Sequence, residues 1–364
     1  MQLPNHRKLP VNHLAAVFNK TTAAYKFYWF ISLLELLVER GNTRIPIRDI
    51  LIRMICNSWY PVNYFKVSFG FFDMLGKNIK EIMLLTDASR DIPKMELFEL
   101  LLNSNNKKVN SLINHFDRQV PYRFLSPWFP KRNNHEIVQL SHDFTHDCLY
   151  RFIESRPKAI EVNKNWINYL LRNYRIIIDF CYWNLALYLQ DKNPNVPDIP
   201  NKLIKPMARS PLTRQRKFWN DFLNECRVQS GQVICIYTGL PLSPESFSVE
   251  HFIPYSFVSH DLMWNLVPVD PVINVVKSNK LPLLTNHLDR FSRLQQMGLQ
   301  FTYQKNPNNK LLEDYLHLGD SISDLVLLPP ADFRQRYHKL LSPLVQIAEN
   351  MGFEYWNNKS TNSL

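Results

Sequence analysis

Apolar residues recur at helical spacing through most of the first half of this 364-residue chain. After Thr21 and Thr22, the run AAYKFYWFISLLELLVER leads to Gly41 and predicts a helix with threonine N-caps and a glycine stop. Its aromatics Tyr25, Phe27, Tyr28, Trp29 and Phe30 crowd nearly the whole circumference, so it is expected inside a core and not as a base-stacking face. Residues 47–59 gather Ile47, Ile50, Leu51, Met54 and Ile55 on one side of a second helix. Shorter helices are predicted over 93–103 and 109–116, while 63–75 fits strand or helix alike and the proline-rich 121–130 reads as a loop. Residues 163–190 hold the longest periodic pattern and predict a single core helix through Trp166, Leu170, Ile177, Phe180, Trp183, Leu187 and Tyr188.

The pattern changes after residue 190. Residues 191–211 (DKNPNVPDIPNKLIKPMARSP) contain five prolines and read as a linker. No acid occurs between Asp198 and Asp221, whereas Lys202, Lys205, Arg209, Arg214, Arg216 and Lys217 all fall there. Beyond it, a helix over 213–227 precedes the strand-like VICIY, a Thr238–Pro241 turn, and two further apolar runs, FSVEHF and NLVPV. Helices are predicted over 286–297, 311–318 and 330–350. The expected fold is α+β and predominantly helical, with a helical recognition or regulatory domain over 1–190, a basic linker over 191–212, a small mixed unit over 213–285 and a helical extension over 286–364.

Composition narrows the function classes. With 45% hydrophobic and 13% aromatic residues the chain should fold around a core. Its formal charge of +11 favours an anionic partner, and Lys205, Arg209, Arg214, Arg216 and Lys217 are the expected phosphate-backbone contacts. No GxxxxGK[ST] or GxGxxG pattern is present, which argues against P-loop and dinucleotide binding. Five scattered cysteines without a CxxC pair argue against a disulfide framework or a zinc ribbon. The N-terminus lacks a secretory pattern, and the apolar run 27–38 is too short to span a bilayer and contains Glu35, so a cytoplasmic protein without a membrane partner is expected. His142 and His146 are spaced for one helix face, a pattern that can bind metal, but no third ligand lies nearby in the sequence.

The chemistry concentrates in residues 248–282, SVEHFIPYSFVSHDLMWNLVPVDPVINVVKSNKLP. Pro254 ends the first strand and leaves Glu250 and His251 at its C-terminal end; Asp270-Pro271 is an N-cap and first-turn proline opening a short helix that carries Asn274 and Lys277. A neutral imidazole can accept a proton from water, while Glu250 and Asn274 offer hard oxygen ligands suited to Mg²⁺ or Mn²⁺. Lys277 could neutralise a phosphate oxygen and Asn265 could hold the loop. That set suits metal-assisted phosphodiester cleavage.

The same residues resemble the HNH endonuclease family with its ββα-metal fold, closest to members without a zinc ribbon, including the HNH domain of RNA-guided CRISPR nucleases. Glu250-His251, Pro254, Asn265, Asn274 and Lys277 follow the family pattern, with spacings of 14, 9 and 3 from His251 onward, and CIYTGLPL resembles the strand and turn that precede it. The resemblance covers about residues 232–282. It implies His251 as general base, Glu250 and Asn274 as metal ligands, Asn265 as the orienting asparagine, and products ending in 5′-phosphate and 3′-hydroxyl. Glu250 stands where aspartate is commoner, and Ser248 where some members carry an acid. The expected function is therefore a divalent-metal-dependent HNH endonuclease acting on DNA, with RNA the other candidate substrate, of the bacterial restriction or phage-defence kind. The alternative is a nucleic-acid-binding or scaffold protein with an inactive HNH unit. Oligomeric state and any guide or protein partner are not legible in the sequence.

Overall fold

The computed structural model describes residues 2–153, 157–205, 211–229 and 231–356. The chain divides into two units, Met1–Pro194 with Ile199–Lys205, and Asn195–Asp198 with Pro206–Leu364. Helices dominate, and the strands described form one three-stranded and one two-stranded antiparallel sheet, an α+β architecture. No helix among the described residues is long and apolar enough to cross a membrane.

In the first unit, helix α1 (Tyr25–Arg40) is buried around its whole girth from Phe27 to Leu34. Gly41 takes φ 61° and returns its N–H to the Leu37 carbonyl, the left-handed stop that glycine adopts without strain. The expected threonine caps are not formed. Thr21 Oγ1 donates to Phe18 O, and the Ala24 amide at the head of α1 is satisfied by Asp73 Oδ2 at 2.7 Å, from 49 residues away. After β1 (Arg44–Pro46) come α2 (Ile47–Asn63), α3 (Met74–Thr86), α4 (Lys94–Leu102), α5 (Lys107–Asn114) and α6 (Asn134–His142). Asp73 also caps α3, accepting from the Leu75 amide. Residues 121–130 contain one helical turn, Val120–Phe124, where a loop was expected.

Strands β2 (Tyr150–Ile153) and β3 (Ala159–Val162) pair antiparallel, and β3 also takes β1, with Ile160 opposite both Ile45 and Phe152. Strands this short leave no alternation to read, and β1 meets β3 more than a hundred residues downstream. The single helix expected over 163–190 is instead two, α7 (Lys164–Arg172) and α8 (Tyr174–Lys192). Asn173 breaks it at φ −104°, ψ 16°, its Nδ2 donating back to Tyr169 O. Trp166, Leu170, Ile177 and Phe180 are core residues as expected, but Trp183 and Leu187 are about half exposed. His142 and His146 do not share a helix face: α6 ends at His142, and His146 has φ 58°.

In the second unit, α9 (Thr213–Val228), β4 (Ser248–His251), β5 (Leu266–Val269), α10 (Pro271–Lys277), α11 (Leu284–Lys305) and α12 (Pro330–Asn350) enclose one hydrophobic core. Trp219, Val267, Phe291 and Tyr337 all belong to it, so residues 213–285 and 286–356 share a core instead of packing separately. VICIY is not an extended strand. It forms a tight turn, with Cys235 N–H on Leu240 O and Leu242 N–H on Val233 O.

Candidate active site

The site is built where β4 ends. Strands β4 and β5 pair with Glu250 opposite Val267 and His251 opposite Leu266. Every residue of β5 is buried, which fixes the sheet face against the core. Asp270 accepts from the Val272 amide and Pro271 opens α10, the cap the sequence predicts. Helix α10 then packs against β4.

Asn265 is fully buried and acts as a clamp. Its Oδ1 accepts from Ile253 N at 2.8 Å, its Nδ2 donates to Ile253 O at 2.9 Å, and its own carbonyl accepts from Phe252 N. Both sides of one peptide strand are thereby tied to the start of β5, pinning the chain that leaves His251.

His251 is 7% exposed and reaches Asp261 Oδ1 through Nε2 at 2.8 Å. Its ring lies edge-on to Tyr255. Asp261 sits in a loop fastened at several points: Gln215 Nε2 donates to the Asp261 carbonyl, and the Met263 amide donates to Asp314. Asp261 lies outside the residues that the sequence pattern singles out. Its only signal there was an acid in the loop ten residues after the histidine.

Glu250 and Lys277 form a buried ion pair, with Lys277 Nζ 2.6 Å from Glu250 Oε1 and also donating to the His251 carbonyl at 3.0 Å. Tyr237 donates its hydroxyl to Glu250 Oε2 at 3.3 Å. Burial pushes the Glu250 carboxyl up, and the adjacent Lys277 charge pulls it back down. Burial likewise pushes the Lys277 ammonium down against the opposing pull of Glu250. Tyr237 is held well above the ordinary phenol value, first by burial and then by the Glu250 charge, so it stays a donor. The expected contact of Lys277 with a phosphate is not what this arrangement presents. Ile273 and Lys277 lie four apart on the face of α10 turned to β4, and Lys277 has no exposed surface. Tyr237, within the CIYTG turn, is a second contact of this group that the sequence pattern does not single out.

Asn274 is half-buried on the adjacent face of α10. Among the described residues, no group of three His, Cys, Asp or Glu side chains gathers as a metal cage. The two expected ligands still fit a hard divalent cation in chemistry. After Lys277 and Tyr237 each take one position, the Glu250 carboxylate retains two of its roughly four lone-pair sites, and the Asn274 amide supplies a neutral oxygen.

The basic residues expected to meet phosphate fare unequally. Lys205 donates to the Asp91 carbonyl and lies over the Tyr60 ring. Lys202 is fully buried beside Phe65. Arg209 lies outside the described residues. On α9, Arg214 is exposed, Arg216 donates to Phe247 O and covers its ring, and Lys217 pairs with Asp221.

Neither the curated proteins nor the solved structures contain a match to this chain. Residues 235–283, from the CIYTG turn through α10, match the family model described as HNH endonuclease, and the second unit of this chain carries an HNH endonuclease segment.

Proposed function

We propose that the second unit is a divalent-metal-dependent endonuclease that hydrolyses phosphodiester bonds in DNA, with His251 as general base. The observation that carries this reading is the 2.8 Å hydrogen bond between His251 Nε2 and Asp261 at the end of β4. With Asp261 accepting from Nε2–H, the imidazole lone pair sits on Nδ1, the tautomer a base needs to take a proton from water. Asp261 also balances the positive charge the ring acquires. Asn265 keeps the backbone after His251 from shifting, so the ring stays aimed while the proton moves. Glu250 and Asn274 would hold Mg²⁺ or Mn²⁺, which supplies positive charge for the phosphate and the leaving oxygen. Lys277 sets the position and charge of Glu250 from inside the fold. Arg214 offers an exposed cation on α9 for the nucleic-acid backbone.

A second reading, a nucleic-acid-binding or scaffold protein whose nuclease segment is inactive, is favoured by the Lys277 ammonium already seated on Glu250. Plasmid nicking with Mg²⁺, Mn²⁺ or EDTA decides between them. The nuclease reading expects metal-dependent conversion of supercoiled DNA and a loss of about 10²- to 10⁴-fold in His251→Ala. Supercoiled and linear DNA left intact under every metal would favour the inactive reading, and a His251→Ala variant that cuts at the wild-type rate would remove His251 as the base.

A further inference from the structure

The first unit contains a cavity of about 510 Å³ at the head of α1, lined by Lys20, Thr21, Lys26, Gln119, Arg123 and Ser126 among others, with no carboxylate in its wall. A larger cavity of about 970 Å³ near β2 contrasts with it: there Arg44 and Arg151 share the wall with Asp143 and Glu161, and Arg151 pairs with Glu161 at 2.6 Å. At the head of α1 the cations have no such partner. Among the described residues, Lys20, Lys26 and Arg123 form no ion pair with a carboxylate.

Half-buried Lys26 and exposed Arg123 are both held by neutral groups. Lys26 Nζ donates to Val17 O at 3.2 Å and Lys20 O at 3.3 Å, and Arg123 donates to Gln119 Oε1 and to the Arg132 carbonyl. Lys26 is pushed down first by burial and then by the charge of Arg123, so the two cations repel. Asp73, which accepts from the Ala24 amide beside the lining residues Ala23 and Tyr25, also accepts from the Leu75 amide with its other oxygen. Like charges lining one cavity, with Lys26 half-buried and none paired with a carboxylate, are stabilised when an anion enters between them. The Ser126 hydroxyl and the Gln119 amide add neutral donors around the cations. A tetrahedral oxyanion uses both kinds of donor, and the volume accommodates more than a bare ion.

We propose that this cavity binds the phosphate group of a nucleotide, presented either by a nucleic-acid strand or by a free nucleotide. It deepens the nuclease reading by giving the first unit a recognition contact on residues that the catalytic stretch does not include.

The test uses the full chain carrying His251→Ala, with a fluorescent oligonucleotide, adenosine monophosphate and inorganic phosphate as separate probes. Lys20→Gln and Arg123→Gln remove charge at exposed positions, and Arg123→Lys restores it. For a strand, each charge removed should weaken oligonucleotide binding about 10-fold at low salt and lower the salt slope by about 1, with Arg123→Lys regaining most of the affinity. For a free nucleotide, the monophosphate should raise the thermal midpoint of the parent and not that of Arg123→Gln, with oligonucleotide binding unchanged. Equal affinities and slopes in all variants, with no competition by phosphate and no shift by the monophosphate, would overturn the proposal. Plasmid nicking by the chain with His251 intact separates the two readings: nicking without phosphate binding here removes only the cavity proposal, and binding without nicking removes only the nuclease.

Discussion

Lys277 and Asp261 are the two side chains whose surroundings most change how the Glu250–His251 stretch is read. Lys277 has no exposed surface and reaches Glu250 at 2.6 Å, so removing its charge strands a carboxylate in the interior. Lys277→Met should therefore cost about 3–5 kcal/mol in urea unfolding, where a solvated phosphate-contact lysine would cost under about 0.5 kcal/mol. Adding Glu250→Gln to Lys277→Met should recover much of that loss, because the stranded charge goes with it. A small effect from Lys277→Met alone would show that the ammonium is not buried in solution. Asp261 is half-buried and bonded to Nε2 of His251, so on the proposed reading it acts through the imidazole. Asp261→Ala should slow single-turnover cleavage about 10- to 100-fold while leaving oligonucleotide affinity and the unfolding midpoint close to wild type. A change in affinity without a change in rate would assign Asp261 to substrate contact instead.

At the scale of elements, the site depends on how closely α11 approaches α9. Gly298 in the middle of α11 lies under the ring of Trp219: a Cβ added there would come within 2.7 Å of Trp219 Cζ3 and 3.1 Å of Phe218 Cε1. Glycine is required by this close approach, not by its backbone angles. Gly298→Ala gains up to about 1 kcal/mol of helix propensity, but the overpacking against a rigid indole should leave a net loss of about 1–3 kcal/mol in chemical unfolding. A net stabilisation would mean that the two helices can part without penalty. The same helix supports β5 from below, since Gln295 Nε2 donates to the Leu266 carbonyl and its Oε1 accepts from Tyr315. The strands that carry Glu250 and His251 therefore rest on residues well beyond the 235–283 match. That dependence explains why a helical extension and a small nuclease unit, which the hydrophobic pattern separates at about residue 285, share one core.

At the scale of the molecule, two cores make two unfolding transitions the natural expectation, and one carboxylate marks the first unit's. Asp73 is raised to about 6 by burial, against the opposing pull of the Ala24 and Leu75 amides. The folded first unit thus keeps a proton that the unfolded chain releases near the ordinary carboxyl value. Its contribution to stability is greatest below about pH 4, falls as pH rises toward 6, and stays low above, a total of about 3 kcal/mol. Carboxylates elsewhere can slope the other way, so the readout is the difference between wild type and Asp73→Asn in the first-unit transition. That difference should shift by about 2 kcal/mol between pH 4 and 6; a flat difference would mean that Asp73 ionises freely in the fold.

Local pattern sufficed for much of this protein because the relevant signals are short-range. The α1 stop at Gly41, the Asp270-Pro271 start of α10 and the order Glu250, His251, Asn265, Asn274, Lys277 each depend on neighbours within a few residues or on a fixed spacing along the chain. The tertiary structure decided what distant segments bring. Asp73 in place of the threonines at the head of α1, the β1–β3 pairing, the Tyr237 hydroxyl on Glu250 and the turn of Lys277 inward all arise from contacts that no local periodicity encodes. Burial is the physical reason for the largest difference. A lysine on a short helix reads as solvated in sequence, and it becomes an internal counter-charge only because α10 packs that face against β4.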